Sequence, residues 1–383
     1  MRIGIVAGEA SGDLLGSQLV AALKNHLPDA QFIGIGGPKM QAAGVHSLFP
    51  MEKLAVRGYV EVLRHYREIT GIRRKLKQFF LADPPQVFIG VDAPDFNLGL
   101  EAALKGSGIP TIHYVSPSIW AWRGERIHKI KRAVSKMLAL FPFEAKIYQA
   151  ADMDAAYVGH PLADMLPDHP DRAAMREQMR LPGQAKIIAL LPGSRQSEIH
   201  YMADLFIQTM RLISESLPDV RFLVPLASRE TREQFETALY RNAAADFPVT
   251  LLFGHAHDAM IAADAVIVAS GTATLEAALL KRPMVITYKM SPLSWAIIRR
   301  KKYQSYVGLP NILAGEFIVP EFIQDEATPE NITQALLNQM ADEDGIKRLE
   351  RRFTQMHREL RQNAAEKAAA AILPFLSGSE ARS

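Results

Sequence analysis

The chain of 383 residues contains no cysteine. That absence excludes disulfides, thiolate nucleophiles and zinc sites built on cysteine. No apolar run approaches the roughly 18 residues that a membrane-crossing helix needs. The opening Met1-Arg2-Ile3-Gly4-Ile5-Val6 goes straight into a strand-like run, without the apolar stretch and small-residue cleavage site of a secretion signal. A cytoplasmic protein is the expectation. Cofactor fingerprints are missing as well. Gly8-Glu9-Ala10-Ser11-Gly12-Asp13 and Gly34-Ile35-Gly36-Gly37 lack the G-x-G-x-x-G spacing, and neither turn carries the Gly-Lys-Ser/Thr of a P-loop. No bound cofactor is expected, and no nucleic-acid reader module is present. The net charge is only +3, which says little about partners until the charges are located. What the chain does have is 48% hydrophobic and 22% charged residues, enough to build a globular core.

The first half repeats a strand-then-helix pattern. Apolar runs at 3–7, 32–35, 87–91, 111–115, 136–141 and 156–158 alternate with helical periodicity. A stretch rich in Pro and Asp follows, from His160-Pro161-Leu162 to Pro167-Asp168-His169-Pro170, and reads as a linker. The alternation then restarts at 187–191, 221–225, 249–253, 265–268 and 284–288. Such alternation implies an α/β fold: parallel sheets covered by helices on both faces, here two doubly wound, Rossmann-like units in tandem. The expected domains are 1–165 and 166–344, with a helix over 345–376 packing back on the first. Ligands of such sheets sit at the carboxyl ends of strands, so a cleft between two facing units is the expected site.

Two turns in the second half share one chemistry. Leu190-Leu191-Pro192-Gly193-Ser194-Arg195 joins a strand to a helix N-terminus, which aims backbone N–H groups at one point and favours an anion. Arg195 adds a charge that grips a phosphate with two hydrogen bonds. About 75 residues on, Ser270-Gly271-Thr272-Ala273-Thr274-Leu275-Glu276 repeats the design. Glu276, one helical turn in, repels phosphate but accepts both hydroxyls of a ribose. The pair suits a nucleoside diphosphate carried by a sugar. The plainer alternative at each turn is an ordinary capped helix.

In the first half, Asp92 and Asp95 follow a buried strand in a turn set by Pro94. A carboxylate at such a strand end serves as a general base. Asp92 is the candidate, while Asp95 is better placed to cap the following helix. The first turn offers Gly8 and Gly12 for close approach to a ligand, with Glu9 and Ser11 as polar contacts. Tight strand–helix packing is its alternative. The segment from His113 to Arg123 holds two of the three tryptophans. His113, Ser116 and Trp120 there suit contacts to sugar or acyl chain, against the alternative of core packing. His255-Ala256-His257-Asp258 resembles a metal dipeptide but lacks further ligands, so no metal is expected. From Val56 to Phe80, apolar and basic residues interleave, and Trp295 opens a second such stretch ending in Arg299-Arg300-Lys301-Lys302. Val60, Val62, Leu63, Tyr66, Ile69, Arg73, Arg74 and Trp295 are the expected contacts to an anionic membrane surface. A helix with one face in a core and one in water is the alternative.

The strings Ala7–Asp13, Gly90-Val91-Asp92-Ala93-Pro94-Asp95-Phe96-Asn97, His113–Arg123, Leu190–Arg195, Ala269–Glu276 and Leu309-Pro310-Asn311-Ile312-Leu313-Ala314-Gly315 together resemble the lipid-A-disaccharide synthase family over essentially the whole chain. The resemblance implies a metal-independent glycosyltransferase of GT-B fold, working at the cytoplasmic face of the Gram-negative inner membrane. It implies UDP-2,3-diacylglucosamine as donor and 2,3-diacylglucosamine 1-phosphate, lipid X, as acceptor. The products would be a β-1,6 disaccharide 1-phosphate and UDP. For an inverting displacement Asp92 is the expected base and Arg195 the expected carrier of the charge of departing UDP. Gly193, Ser194, Ser270, Gly271, Thr272 and Thr274 hold the donor, Glu276 the ribose, and Asn311 the donor sugar or phosphate. A homodimer is compatible with it. The competing expectations are another UDP-sugar enzyme, such as a UDP-N-acetylglucosamine 2-epimerase or a lipid II-type transferase, and a non-catalytic nucleotide-sugar binder at the membrane.

Overall fold

A computed structural model describes residues 1–54, 59–122, 124–301 and 305–377, without the side chains at 59–66, 121–122, 293, 297–298, 300–301 and 377. The chain divides into two compact units, residues 1–164 with 360–383, and residues 165–359.

Each unit is a parallel sheet with helices between successive strands. In the first, β1 (Arg2–Ala7), β2 (Gln31–Ile35), β3 (Val45–Ser47), β4 (Val87–Val91), β5 (Thr111–Tyr114), β6 (Lys136–Ala139) and β7 (Ala155–Tyr157) lie in the order β3-β2-β1-β4-β5-β6-β7. In the second, β8 (Ile187–Leu191), β9 (Arg221–Leu226), β10 (Val249–Phe253), β11 (Ala265–Ala269), β12 (Met284–Tyr288) and β13 (Glu321–Ile323) lie in the order β10-β9-β8-β11-β12-β13. Every residue of β4, β8 and β11 is buried. That is why these strands read as unbroken apolar runs: a sheet covered on both faces has no water-facing side to alternate with. The expected strands all form. β3 and β13 are additional three-residue edge strands, Val45-His46-Ser47 and Glu321-Phe322-Ile323, too short and polar to stand out as apolar runs.

Both strand orders reverse direction once. The reversal lies between β1 and β4 in the first unit, and between β8 and β11 in the second. At such a point the loops leave the strand ends in opposite directions and open a crevice. The turns after these four strands are 8–9, 92–93, 192–195 and 270–271, each within a segment singled out from sequence.

The single helix expected over 345–376 is two helices, Glu343–Leu360 and Ala364–Ser377. Between them Asn363, just before the second helix, adopts a left-handed conformation with φ 56°. The Asp164 carboxylate accepts from Asn363 N–H at 2.9 Å and Ala364 N–H at 2.7 Å, capping the second. Only this second helix belongs to the first unit, where it packs against the helix Ala10–His26. Glu343–Leu360 lies in the second unit apart from its last residue.

The helix Tyr59–Ala82 runs through the basic–apolar segment. Ile72, Leu76 and Phe80 are buried in the core of the first unit, and Ile69 packs against the same cluster. Ile69 is therefore a core contact rather than a membrane contact. Arg73 is half-buried, with its guanidinium 3.4 Å from the carbonyl of Asp95, so it too faces the protein. Arg74, Lys75 and Lys77 are exposed. The side chains of Val60, Val62, Leu63 and Tyr66 lie outside the described residues. Trp295 is half-buried on the helix Pro292–Lys301, beside Arg299 and Phe317. Among the described residues, no helix is long and apolar enough to cross a membrane.

Candidate nucleotide-sugar site

A cavity of about 460 Å³ opens at the strand-order reversal of the second unit. That size falls within the range of small-molecule sites. Its walls come from the turns after β8, β9, β10 and β11, and include Gly193, Ser194, Arg195, Ser270, Gly271, Thr272 and Glu276. The two turns matched from sequence therefore meet at one place, 75 residues apart in the chain and adjacent in the sheet through the β8–β11 pairing.

The two helix N-termini at this cavity differ. The helix Thr272–Leu279 carries no side-chain cap, so its first N–H groups point from its end without an intrahelical partner. The helix Gln196–Ser216 is closed by its own third residue. Glu198 Oε2 accepts from Ser194 N–H at 2.9 Å and from Arg195 N–H at 3.1 Å. The N–H groups of the 193–195 turn, expected to stand open to a ligand, are thus held by Glu198 in this structure. Gly193 serves that closure: its φ is 125°, and a Cβ there would lie 2.5 Å from the Glu198 Cβ. Glu198 Oε1 accepts from the Tyr288 hydroxyl at 3.3 Å and lies 3.8 Å from the Arg195 guanidinium. Burial and then the Glu198 charge push the Tyr288 hydroxyl up to about 12.

Glu276 lines the cavity, and its Oε2 lies 3.2 Å from His257 Nε2. The hydrogen bond to Glu276 raises the His257 pKa. The imidazolium so favoured offsets part of the repulsion between Glu276 and an incoming phosphate. His257 escaped the sequence reading, which weighed it only as half of a metal dipeptide. Its companion His255 is 2.7 Å from Asp258 instead. Among the described residues no group of three or more His, Asp or Glu could hold a metal ion.

Two expected donor contacts do not reach the cavity. Thr274 is fully buried. Its hydroxyl donates to the Gly271 carbonyl at 2.7 Å and accepts from Leu309 N–H at 3.2 Å, pinning the next loop. Asn311 is also fully buried. Its amide nitrogen donates to the Val319 carbonyl and to Glu321, both at 2.8 Å. Its oxygen accepts from Ile318 N–H at 2.8 Å and Val319 N–H at 3.0 Å. Four bonds saturate an amide, so Asn311 shapes the loop and contacts no ligand in this geometry. Both residues sit on helices, Thr272–Leu279 and Leu309–Ala314, and their polar groups hold the segments beside them.

In the first unit, Asp92 sits half-buried at the end of β4. Asp92 and Ala93 are both left-handed, with φ 52° and 43°. Consecutive non-glycine residues in that region store strain of about 1–3 kcal/mol each, which something must hold. Asn97 holds it: its buried amide donates to the Asp92 carbonyl at 2.8 Å and to the Val6 carbonyl at 3.3 Å. Gly8 is buried against this turn, and a Cβ there would be 2.8 Å from the Ala93 Cβ. Gly8 and the buried Gly12 thus serve close packing around Asp92, while Glu9 is half-buried and Ser11 exposed on the same rim. Asp95 does not cap the helix Pro94–Lys105; it pairs with Arg126 at 2.6 Å.

His113 and Ser116 are corrections. His113 is fully buried in β5, its Nδ1 2.7 Å from Glu101. Ser116 is buried, bonded to Tyr148 at 2.8 Å and donating to the Pro117 carbonyl at 3.0 Å. Trp120 is half-buried, and its indole N–H donates to Glu144 at 3.0 Å. Burial pushes the Glu144 carboxyl up to about 7, against hydrogen bonds that pull it down. Glu144, unnoticed in the sequence, is what orients the expected aromatic contact.

Residues 3–372 match the family model described as lipid-A-disaccharide synthetase. The lipid-A-disaccharide synthase of Methylobacillus flagellatus is 60% identical over 98% of this chain and 99% of its own length. Among solved structures, the UDP-GlcNAc 2-epimerase of Neisseria meningitidis bound to UDP-GlcNAc is similar with a TM-score of 0.63, at 12% identity over 99% of this chain and 100% of its own. A glycosyltransferase from Rickettsia africae is similar with a TM-score of 0.62, at 11% identity over 98% of each chain. These two likenesses concern the fold, which is that of GT-B glycosyltransferases. The family match and the high identity across the whole length concern the protein itself, and on them the chain belongs to the lipid-A-disaccharide synthase family.

Proposed function

We propose that the second unit binds the UDP moiety of UDP-2,3-diacylglucosamine at the β8–β11 crevice, and that Asp92 of the first unit deprotonates the acceptor. The chain is a glycosyltransferase of lipid A disaccharide synthesis. Its acceptor is 2,3-diacylglucosamine 1-phosphate, attacked through its 6-hydroxyl. An α-linked donor and a β-linked product require inversion, hence one in-line displacement. The 6-oxygen bonds to the anomeric carbon as the bond to UDP breaks, and the hydroxyl proton passes to Asp92. Charge grows on the departing diphosphate. Arg195 and the N–H groups at the start of Thr272–Leu279 stabilise it, the role that preorganised donors play in place of a metal. Glu276, steadied by His257, accepts the ribose hydroxyls.

The observation that carries this reading is the meeting of Arg195, the 270–272 turn and Glu276 in one cavity. Asp92 is supported by its place at the equivalent reversal of the first unit, in a strained turn braced by Asn97. The epimerase alternative shares the fold at 12% identity and no more.

The exposed Arg74, Lys75 and Lys77, with Phe79 and Leu81 partly exposed beside them, seat the enzyme on an anionic bilayer so that diacyl substrates leave it only in part. The test is transfer from a radiolabelled diacyl donor to lipid X with release of UDP. Asp92→Ala should lower turnover by two to four orders of magnitude, the scale of general-base catalysis, with UDP affinity nearly unchanged. Turnover close to wild type in that variant removes the base assignment.

A further inference from the structure

Three donors at the β8 side of the cavity suit a diphosphate: the N–H groups of Ser194 and Arg195, and the Arg195 guanidinium. All three engage Glu198. Its Oε2 takes the two N–H groups at 2.9 and 3.1 Å, and its Oε1 lies 3.8 Å from the guanidinium. Tyr288 steadies Oε1 from β12 at 3.3 Å. Gly193, at φ 125°, folds the backbone against the Glu198 side chain. The cavity wall includes two carboxylates, Glu198 and Glu276, and Arg195.

We propose that Glu198 competes with the diphosphate for these donors and thereby sets the affinity of the site for UDP and UDP-sugar. A carboxylate and a phosphate present the same acceptor chemistry to a helix N-terminus. Where both lie within reach of one pair of N–H groups, each weakens the other. The consequence for turnover is directional. Competition leaves the uridine end of the ligand untouched and weakens only the diphosphate end, so it speeds UDP release after transfer. Glu198 is a positioning and affinity-setting residue here, apart from the chemistry assigned to Asp92.

This inference rests on the UDP reading above, and one titration separates the two. UDP and uridine are titrated into the full-length protein and its Glu198→Gln variant by calorimetry, with the melting temperature of each recorded. Glutamine keeps the size and one neutral acceptor, so the helix start is largely retained. UDP should bind the variant at least about threefold more tightly, while the uridine affinity stays within twofold. An unchanged or weakened UDP affinity in the variant overturns the proposal and leaves Glu198 a helix cap. Equal tightening of uridine overturns it as well, since uridine carries no phosphate. If wild-type protein fails to bind UDP at all, the UDP reading itself falls. Should Glu198→Gln not fold, Tyr288→Phe provides the same test: loosening Oε1 should tighten UDP by a smaller factor and leave uridine unchanged, and a weaker or unaltered UDP affinity counts against competition.

Discussion

Arg195 sits at the cavity with a half-exposed side chain, within 3.8 Å of Glu198. Replacing it by alanine removes a charge-assisted donor of about 1.5–3 kcal/mol. Arg195→Ala should therefore weaken UDP by roughly tenfold or more and uridine hardly at all, as read by calorimetry. Two buried groups of the first unit make its stability depend on pH in opposite senses. Burial raises Glu144 from 4.5 to about 7. The folded protein then holds a proton that the unfolded chain has lost, so this group's contribution falls as pH rises from 4.5 to about 7. Burial lowers His160 from 6.5 to about 4. Here the unfolded chain binds the extra proton, so stability present above 6.5 is lost as pH falls toward 4. Each shift amounts to about 3 kcal/mol. Between pH 4.5 and 6.5 the two slopes oppose. Denaturant titrations of Glu144→Gln should show stability rising more steeply with pH in that window than in the wild type. A wild-type-like slope would mean that Glu144 ionises normally.

At the scale of elements, the turn before the helix Gln196–Ser216 depends on Gly193. A methyl group there needs both an unfavourable backbone at φ 125° and room that the Glu198 Cβ occupies at 2.5 Å. Gly193→Ala should cost about 1–3 kcal/mol, measured by chemical unfolding, and should weaken UDP because Arg195 moves with the turn. At the other end of the chain, Asp164 caps Ala364–Ser377 through two N–H groups. Asp164→Ala should cost about 1 kcal/mol, with faster amide exchange concentrated in that helix. The strands were legible because sheets covered on both faces leave unbroken apolar runs. The C-terminal segment differs for the converse reason. Most of its residues are helix formers, and the break around Asn363 is held by Asp164, about 200 residues away in sequence.

For the molecule as a whole, the two units repeat one architecture, each with its strand-order reversal beside the β1–β4 or β8–β11 pair. UDP at 100 times its dissociation constant should stabilise the protein by about 2.7 kcal/mol. Amide protection should rise around 192–198 and 270–276 rather than in the first unit. Vesicles containing anionic lipid should sediment with the protein, and about 1 M salt should release it, since charges at the surface are screened within a few ångströms. Retention at high salt would place the binding in apolar contact instead.

The sequence by itself determined the repeated α/β architecture, the two turns of the candidate nucleotide site and the strand-end position of Asp92. These depend on local pattern: apolar runs, small-residue turns and helix starts within a dozen residues of each other. Only the tertiary structure decided which polar side chains face a ligand. Asn311, Thr274 and His113 are buried and bonded to partners 3 to 35 residues distant. Glu198 closes the helix end that looked open, and His257 joins Glu276 from the start of the helix Ala256–Ala262. A hydrogen-bonding group is committed by whatever the fold brings within about 3 Å of it, one helical turn away for Glu198 and across the fold for His113 and Asn311.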